Sequence, residues 1–147
     1  MSTKENKKLY GQFIKEWNEL GGDIAKLRSW YEKYYVPGYI YHSISRGDMN
    51  REQTIQFCAT VLSAFPDFSY SIDDMIAEGD KVVTRYTIKA THKGTFQGIP
   101  ATGKHVSIKG SDVYKIEGKK ILEWWEFNDM LGLLTQVGTF PGGAPKK

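Results

Sequence analysis

Little in this chain suits metal, redox or phosphate chemistry. Its single cysteine, Cys58, has no partner for an internal disulfide. It falls in a helical apolar pattern, where a cysteine acts as a small buried hydrophobe. Only three histidines are present, His42, His92 and His105, and none stands at His-x-x-x-His spacing, so no metal centre is expected. There is no glycine-rich phosphate loop and no dinucleotide fingerprint, so no cofactor is expected. No apolar run approaches the roughly 20 residues that cross a bilayer. The polar start lacks a signal-peptide core, so no membrane partner is expected and the cytoplasm is the default location. The net charge is +3, and lysines gather near the ends (Lys4, Lys7, Lys8, Lys146, Lys147). That leaves no basic stripe on an ordered face, which argues against a nucleic-acid partner.

What the chain has is aromatic rings. They make up 14% of its 147 residues, enough to line a pocket as well as fill a core. This length fits one domain over 1–147, with residues 1–8 and 139–147 expected as flexible tails.

Leu9, Phe13, Ile14, Trp17 and Leu20 recur at helical spacing and predict a first helix. Gly21-Gly22 stops it. Asp23 caps a second helix carrying Ile24, Leu27, Trp30, Tyr31 and Tyr34, which Pro37-Gly38 breaks. Residues 39–44 read as a short aromatic strand, and 47–50 as a turn ending in Asn50, the N-cap of a third helix over 51–64. The period then changes to two. Strands are expected from Phe68 to Ile76, Lys81 to His92, Val106 to Ile116 and Ile121 to Asn128, the last two joined by the tight turn Glu117-Gly118-Lys119. Asp129 is placed to cap a final short helix. Helices first and hairpin-linked strands after them indicate an α+β fold, with helices packed on one face of a strongly curved, mostly antiparallel sheet. The interior of such a cone is where a pocket forms.

Strand alternation places residues on faces. In 106–116 the apolar phase holds Val106, Ile108, Tyr114 and Ile116, and it carries Asp112 inward among them. A buried aspartate is costly unless partnered. The last strand is open to two phases: Leu122, Trp124, Glu126 and Asn128, or Ile121, Glu123, Trp125 and Phe127. In 81–92, Val83, Arg85, Thr87 and Lys89 alternate with Thr84, Tyr86, Ile88 and Ala90. If Glu126 and Arg85 share the cavity, their charges neutralise each other.

Several stretches resemble the SnoaL-like polyketide cyclase and ester cyclase family of the NTF2-like superfamily. They are Ala64-Phe65-Pro66-Asp67, residues 76–83, Thr91-His92-Lys93-Gly94-Thr95-Phe96 with Gly98-Ile99-Pro100, and Glu123-x-Trp125-x-x-x-Asp129 with Leu133-Leu134. The resemblance implies a cone-shaped barrel with a deep cavity, and a homodimer through the outer sheet face that would cover Tyr86, Ile88, Val113, Trp125 and Phe127. It also places Trp124, Glu126 and Asn128 inside. The family's ring-closing members carry an acid/base aspartate where Glu126 stands, and related epoxide hydrolases an arginine where Arg85 stands. This chain departs from the family at Trp124 and Asp112, where the cyclases have histidines, and at Thr87, where the hydrolases have an aspartate.

The expected catalytic set is Glu126, Arg85, Asp112 and His42. Glu126 is the general acid/base, and His42 a donor or proton relay near neutral pH. Tyr41, Trp124, Asn128, Tyr114, Thr87 and His92 are the expected substrate contacts. Each has a plainer alternative: a Glu126–Arg85 ion pair, a hydrogen-bonded core Asp112, histidines tied to their neighbours, aromatics that only pack. The expected function is a cofactor-independent enzyme acting by acid/base chemistry on a small, mostly apolar carbonyl compound, as cyclase, isomerase or hydrolase. The alternative is a non-catalytic binding or interaction domain in the same cone.

Overall fold

The structure is a computed structural model, and it describes residues 2–138. Helix α1 (Thr3–Asn18) opens with a capping box between Ser2 and Glu5. Residues 3–8 are therefore helical rather than a tail. The expected tail 139–147 lies outside the described residues. Asp23 caps α2 (Ile24–Tyr34), and Asn50 caps α3 (Arg51–Ala64), each through its side-chain oxygen as expected.

Two segments differ from the expectation. Strand β1 runs over Tyr35–Ser43, so Pro37-Gly38 lies inside a strand. Its pairing shifts register between Tyr35 and Ile40, and such a bulge is where proline and glycine are tolerated in a sheet. The expected turn at 47–50 is instead a short strand, β2 (Gly47–Asn50), paired antiparallel with β1.

Strands β3 (Ser69–Glu78), β4 (Lys81–Thr91), β5 (His105–Glu117) and β6 (Lys120–Asn128) follow, and then α4 (Met130–Gln136). The sheet order is β2-β1-β6-β5-β4-β3. All neighbours are antiparallel except β1 and β6, which run parallel. The sheet curves around the helices without closing. Helix α1 lies against β3 and β4, and α3 against β1 and β2. Phe13 stacks on Trp30 at 4.3 Å and Tyr31 on Tyr35 at 4.4 Å, so aromatic rings join the helices to the sheet.

The β5–β6 hairpin sets the geometry of the interior. Gly118 and Lys119 both have positive φ (55° and 66°), the pattern of a two-residue turn that matches strand twist. The turn pairs Glu117 with Lys120, and further along it sets Asp112 opposite Glu126 and Gly110 opposite Asn128. Between Lys115 and Ile116 the register shifts, and Leu122 becomes the extra residue. Ile121 therefore turns inward and is buried, while Leu122 is half-buried. From Trp124 to Asn128 the inner phase is the one the resemblance implies.

Candidate active site

Two carboxyl groups meet inside the cone. Asp112 (β5) and Glu126 (β6) are cross-strand partners pointing to the same face. Asp112 is fully buried. The Tyr70 hydroxyl lies 2.5 Å from its Oδ2, and the Trp124 indole N–H donates to Oδ1 at 2.9 Å. Tyr10 stands behind Tyr70 at 2.9 Å and reaches Thr84 Oγ1 at 3.2 Å. Glu126 accepts from the Tyr41 hydroxyl at 2.8 Å and from Tyr86 at 3.0 Å, and it is half-buried. Tyr86 can reach it because Gly110 lies between them on β5. A Cβ at Gly110 would collide with the Tyr86 hydroxyl.

Burial, reinforced by the Glu126 charge, holds the Asp112 carboxyl well above the usual carboxylate range; Tyr70, Trp124 and Tyr10 only partly offset this. Burial also raises Glu126, opposed by its two tyrosine donors and by the positive charge of Arg46. Two like charges this close do not ionise together readily, so the two carboxyls titrate as one coupled pair, with Asp112 the more strongly raised.

The two carboxyls lie at one side of a cavity of about 110 Å³. Aromatic and aliphatic side chains make up nearly all of its wall. Tyr114 and Asn128 line it, as does Trp124, which stacks on Tyr41 at 4.1 Å. Cys58 also lines it, and burial pushes its thiol up to about 12, so it is a packing residue rather than a nucleophile.

Other expected residues lie elsewhere. Arg85 is exposed on the opposite face of β4 and pairs in register with Ser111. It does not share the cavity with Glu126, and Tyr86 occupies the inner place. Thr87 is on that outer face too, donating to Asp73 at 2.6 Å. The reason is the alternation of β4, whose inner phase is Val82, Thr84, Tyr86, Ile88 and Ala90, all buried. Tyr86 and Ile88 thus belong to the interior and not to a partner-facing surface. His42 is outside as well. It stacks on Trp125 at 5.0 Å and bridges Asp48 (2.9 Å) and Glu123 (2.8 Å). His92 is buried at the base of the 93–103 loop, bonded to Thr102 at 2.9 Å and stacked on Phe65. Asp129 bonds the Gly132 N–H at 2.8 Å as the cap of α4.

Sequence reasoning did not single out Tyr10, Tyr70, Tyr86 or Arg46. Tyrosines in a helical or alternating pattern look like core. Only the prediction that Asp112 needs a partner pointed towards them.

The family model described as SnoaL-like polyketide cyclase matches residues 13–137. The chain belongs to the SnoaL-like polyketide cyclase family. Solved relatives share the cone. AclR from Streptomyces galilaeus, described as a candidate hydroxylase, is 27% identical, with 95% of this chain and 100% of that one covered at a TM-score of 0.83. A candidate polyketide cyclase from Acidithiobacillus ferrooxidans is 30% identical over 89% and 92%, at 0.72. TsrD from Streptomyces laurentii is 28% identical over 95% and 99%, at 0.77. No curated protein sequence matches the chain. Within the SnoaL-like frame, among the described residues no helix is long and apolar enough to cross a membrane, and no group of three or more His, Cys, Asp or Glu could hold a metal ion.

Proposed function

We propose that this SnoaL-like protein is a cofactor-independent acid/base enzyme that moves a proton α to the carbonyl of a small, neutral, largely apolar compound. The observation that carries the reading is the Asp112–Glu126 pair, two carboxyls side by side on one wall of an apolar cavity and held by different donors. Glu126 is the base. Its two tyrosine donors steady the carboxylate, and burial lifts its proton affinity towards the working range. Asp112 keeps its proton on the Tyr70–Tyr10–Thr84 hydroxyl chain, which spares Glu126 a second negative neighbour.

Cavity size sets the scale of the substrate. A dry protein cavity of about 150 Å³ takes up benzene, so about 110 Å³ encloses a short ketone, or the apolar body of a single ring whose carbonyl edge stays at the rim. Cyclisation, isomerisation and hydrolysis all remain within this chemistry. The description of AclR as a candidate hydroxylase and of other relatives as cyclases supports small-molecule processing. A homodimer through the outer face is part of the proposal, supported by Val83 and Phe127, which are 38% and 50% exposed there. Cytoplasmic location and a single folding unit over 1–147 belong to it as well.

A second reading, a binding domain without catalysis, is favoured by one fact: protein donors already satisfy both carboxyls. Deuterium exchange at the α-carbon of cyclohexanone in D2O, followed by NMR, separates the two. The enzyme reading expects exchange above the buffer rate and a loss of about a hundredfold or more in Glu126→Gln, with ketone binding retained. Exchange that is the same in wild type and Glu126→Gln sinks it.

A further inference from the structure

Taking a proton from the α-carbon breaks a C–H bond. The proton goes to a Glu126 oxygen and the electron pair moves to the carbonyl oxygen, which becomes negative. Nothing in the cavity wall matches that charge. Among the described residues no lysine, arginine or histidine lines the cavity, and Asp112 contributes no positive charge. Asn128 offers the wall only a neutral amide donor, so a full countercharge has to be sought at the rim.

Arg46 is placed for this. Strand β1 pairs with β6 so that Ser43 lies beside Glu126, and Arg46 follows three residues later in the turn before β2. Its guanidinium sits over the Phe57 ring at 4.2 Å, and Phe57 is itself part of the cavity wall. Phe57 and Val61 on α3 and Met130 at the start of α4 are half-buried lining residues, so the cavity wall beneath Arg46 reaches solvent. Among the described residues Arg46 makes no ion pair, whereas the exposed Arg28 is held by Glu52 on both of its terminal nitrogens. A guanidinium seated on an aromatic face is held in place while its N–H groups stay free to bond an anion. Its field also reaches the base, since its charge opposes the rise in the Glu126 proton affinity.

We propose that Arg46 is the residue that holds the negative oxygen formed when Glu126 takes the α-proton, the task expected of Arg85 from sequence. The assignment rests on the acid/base reading of Glu126. It also defines the substrate further: the carbonyl lies at the rim, towards the β1–β2 turn, and the apolar body fills the cavity. Interactions made only with the developing charge raise turnover rather than ground-state binding.

The test uses a ring-sized stand-in for the enolate. In Glu126→Gln the base carries the shape of its protonated form, and 4-nitrophenolate, read by its own absorbance, supplies the negative oxygen. Nitrobenzene is the neutral control. We expect 4-nitrophenol to bind as the phenolate at neutral pH. Adding Arg46→Met should weaken phenolate binding at least tenfold and change nitrobenzene binding less than twofold, with Arg46→Lys between them. In the Glu126 background, Arg46→Met should lower the kcat for cyclohexanone exchange with little change in KM. Absent phenolate binding, or an equal effect of Arg46→Met on phenolate and nitrobenzene, overturns the assignment. Thermal unfolding of each variant checks that the turn and α3 are intact. Exchange that ignores Glu126, with phenolate binding still dependent on Arg46, removes the acid/base reading and leaves Arg46 as an anion seat only.

Discussion

The two faces of the sheet use the same side-chain types for opposite ends. On the outer face, carboxylates meet an imidazole in contact with water: His42 bridges Asp48 and Glu123. On the inner face Asp112 and Glu126 have no cation within bonding distance and are held by neutral tyrosine and indole donors instead. Outside, the two carboxylates favour the charged form of His42. Inside, desolvation favours the proton. A carboxyl is made chemically useful less by its identity than by which side of the strand it occupies. Glu123 and Glu126, three residues apart, are the sharpest instance.

The largest expected break in this contrast is catalytic. Glu126→Gln should cost about a hundredfold or more in exchange rate, while Glu123→Gln should leave it within twofold. Equal losses would mean that the faces do not differ as described.

Next comes stability. Asp112→Ala leaves the Tyr70 hydroxyl and the Trp124 N–H without their hydrogen-bond partner in a dry interior, a cost of about 2–3 kcal/mol in chemical denaturation. Asp112→Asn keeps the shape of the protonated acid and should cost far less. It also sharpens the pH dependence. A carboxyl whose folded value is raised holds its proton longer in the native state, so native stability falls as pH rises from the ordinary carboxylate value towards the raised one. Asp112→Asn should flatten that fall, and an unchanged slope would contradict a retained proton.

His42 gives a smaller effect of a different origin. Partial burial pulls its proton affinity down, but hydrogen bonds to Glu123 and Asp48 outweigh that and leave it raised. The stabilisation is complete below the ordinary histidine value and is lost as pH rises through the raised one. His42→Gln should remove this step, with a change of under about 1 kcal/mol at pH 6. Smallest of all, Arg85→Ala should shift stability by no more than about 0.5 kcal/mol and leave exchange untouched. A large loss of turnover there would restore the role first expected of it.

Much of this was legible in the sequence where one physical rule acted alone. The caps at Asp23, Asn50 and Asp129 each had the right side chain ahead of an apolar periodic run. Asp112 could be placed inside because its strand has one clearly apolar phase. Arg85 could not be placed, because both phases of β4 mix apolar and polar residues. The structure resolves it through Gly110, whose missing side chain leaves room for Tyr86 to cross to Glu126. Arg46 was hidden for another reason. It lies on a turn with no periodicity, and its meaning depends on Phe57, which is next to it only in space.

The parallel pairing of β1 with β6 has a consequence for the order in which the sheet is completed. Tyr41 and Glu126, whose side chains bond across that seam, are 85 residues apart along the chain. Contacts this distant form late, after the local hairpins, because the intervening loop must first be closed. During synthesis β1 therefore waits with one edge unpaired until β6 leaves the ribosome, and an unpaired edge invites pairing with other chains. Strand β6 both shields that edge and brings Glu126 to Tyr41, so the Asp112–Glu126 pair comes together only when the sheet is nearly complete.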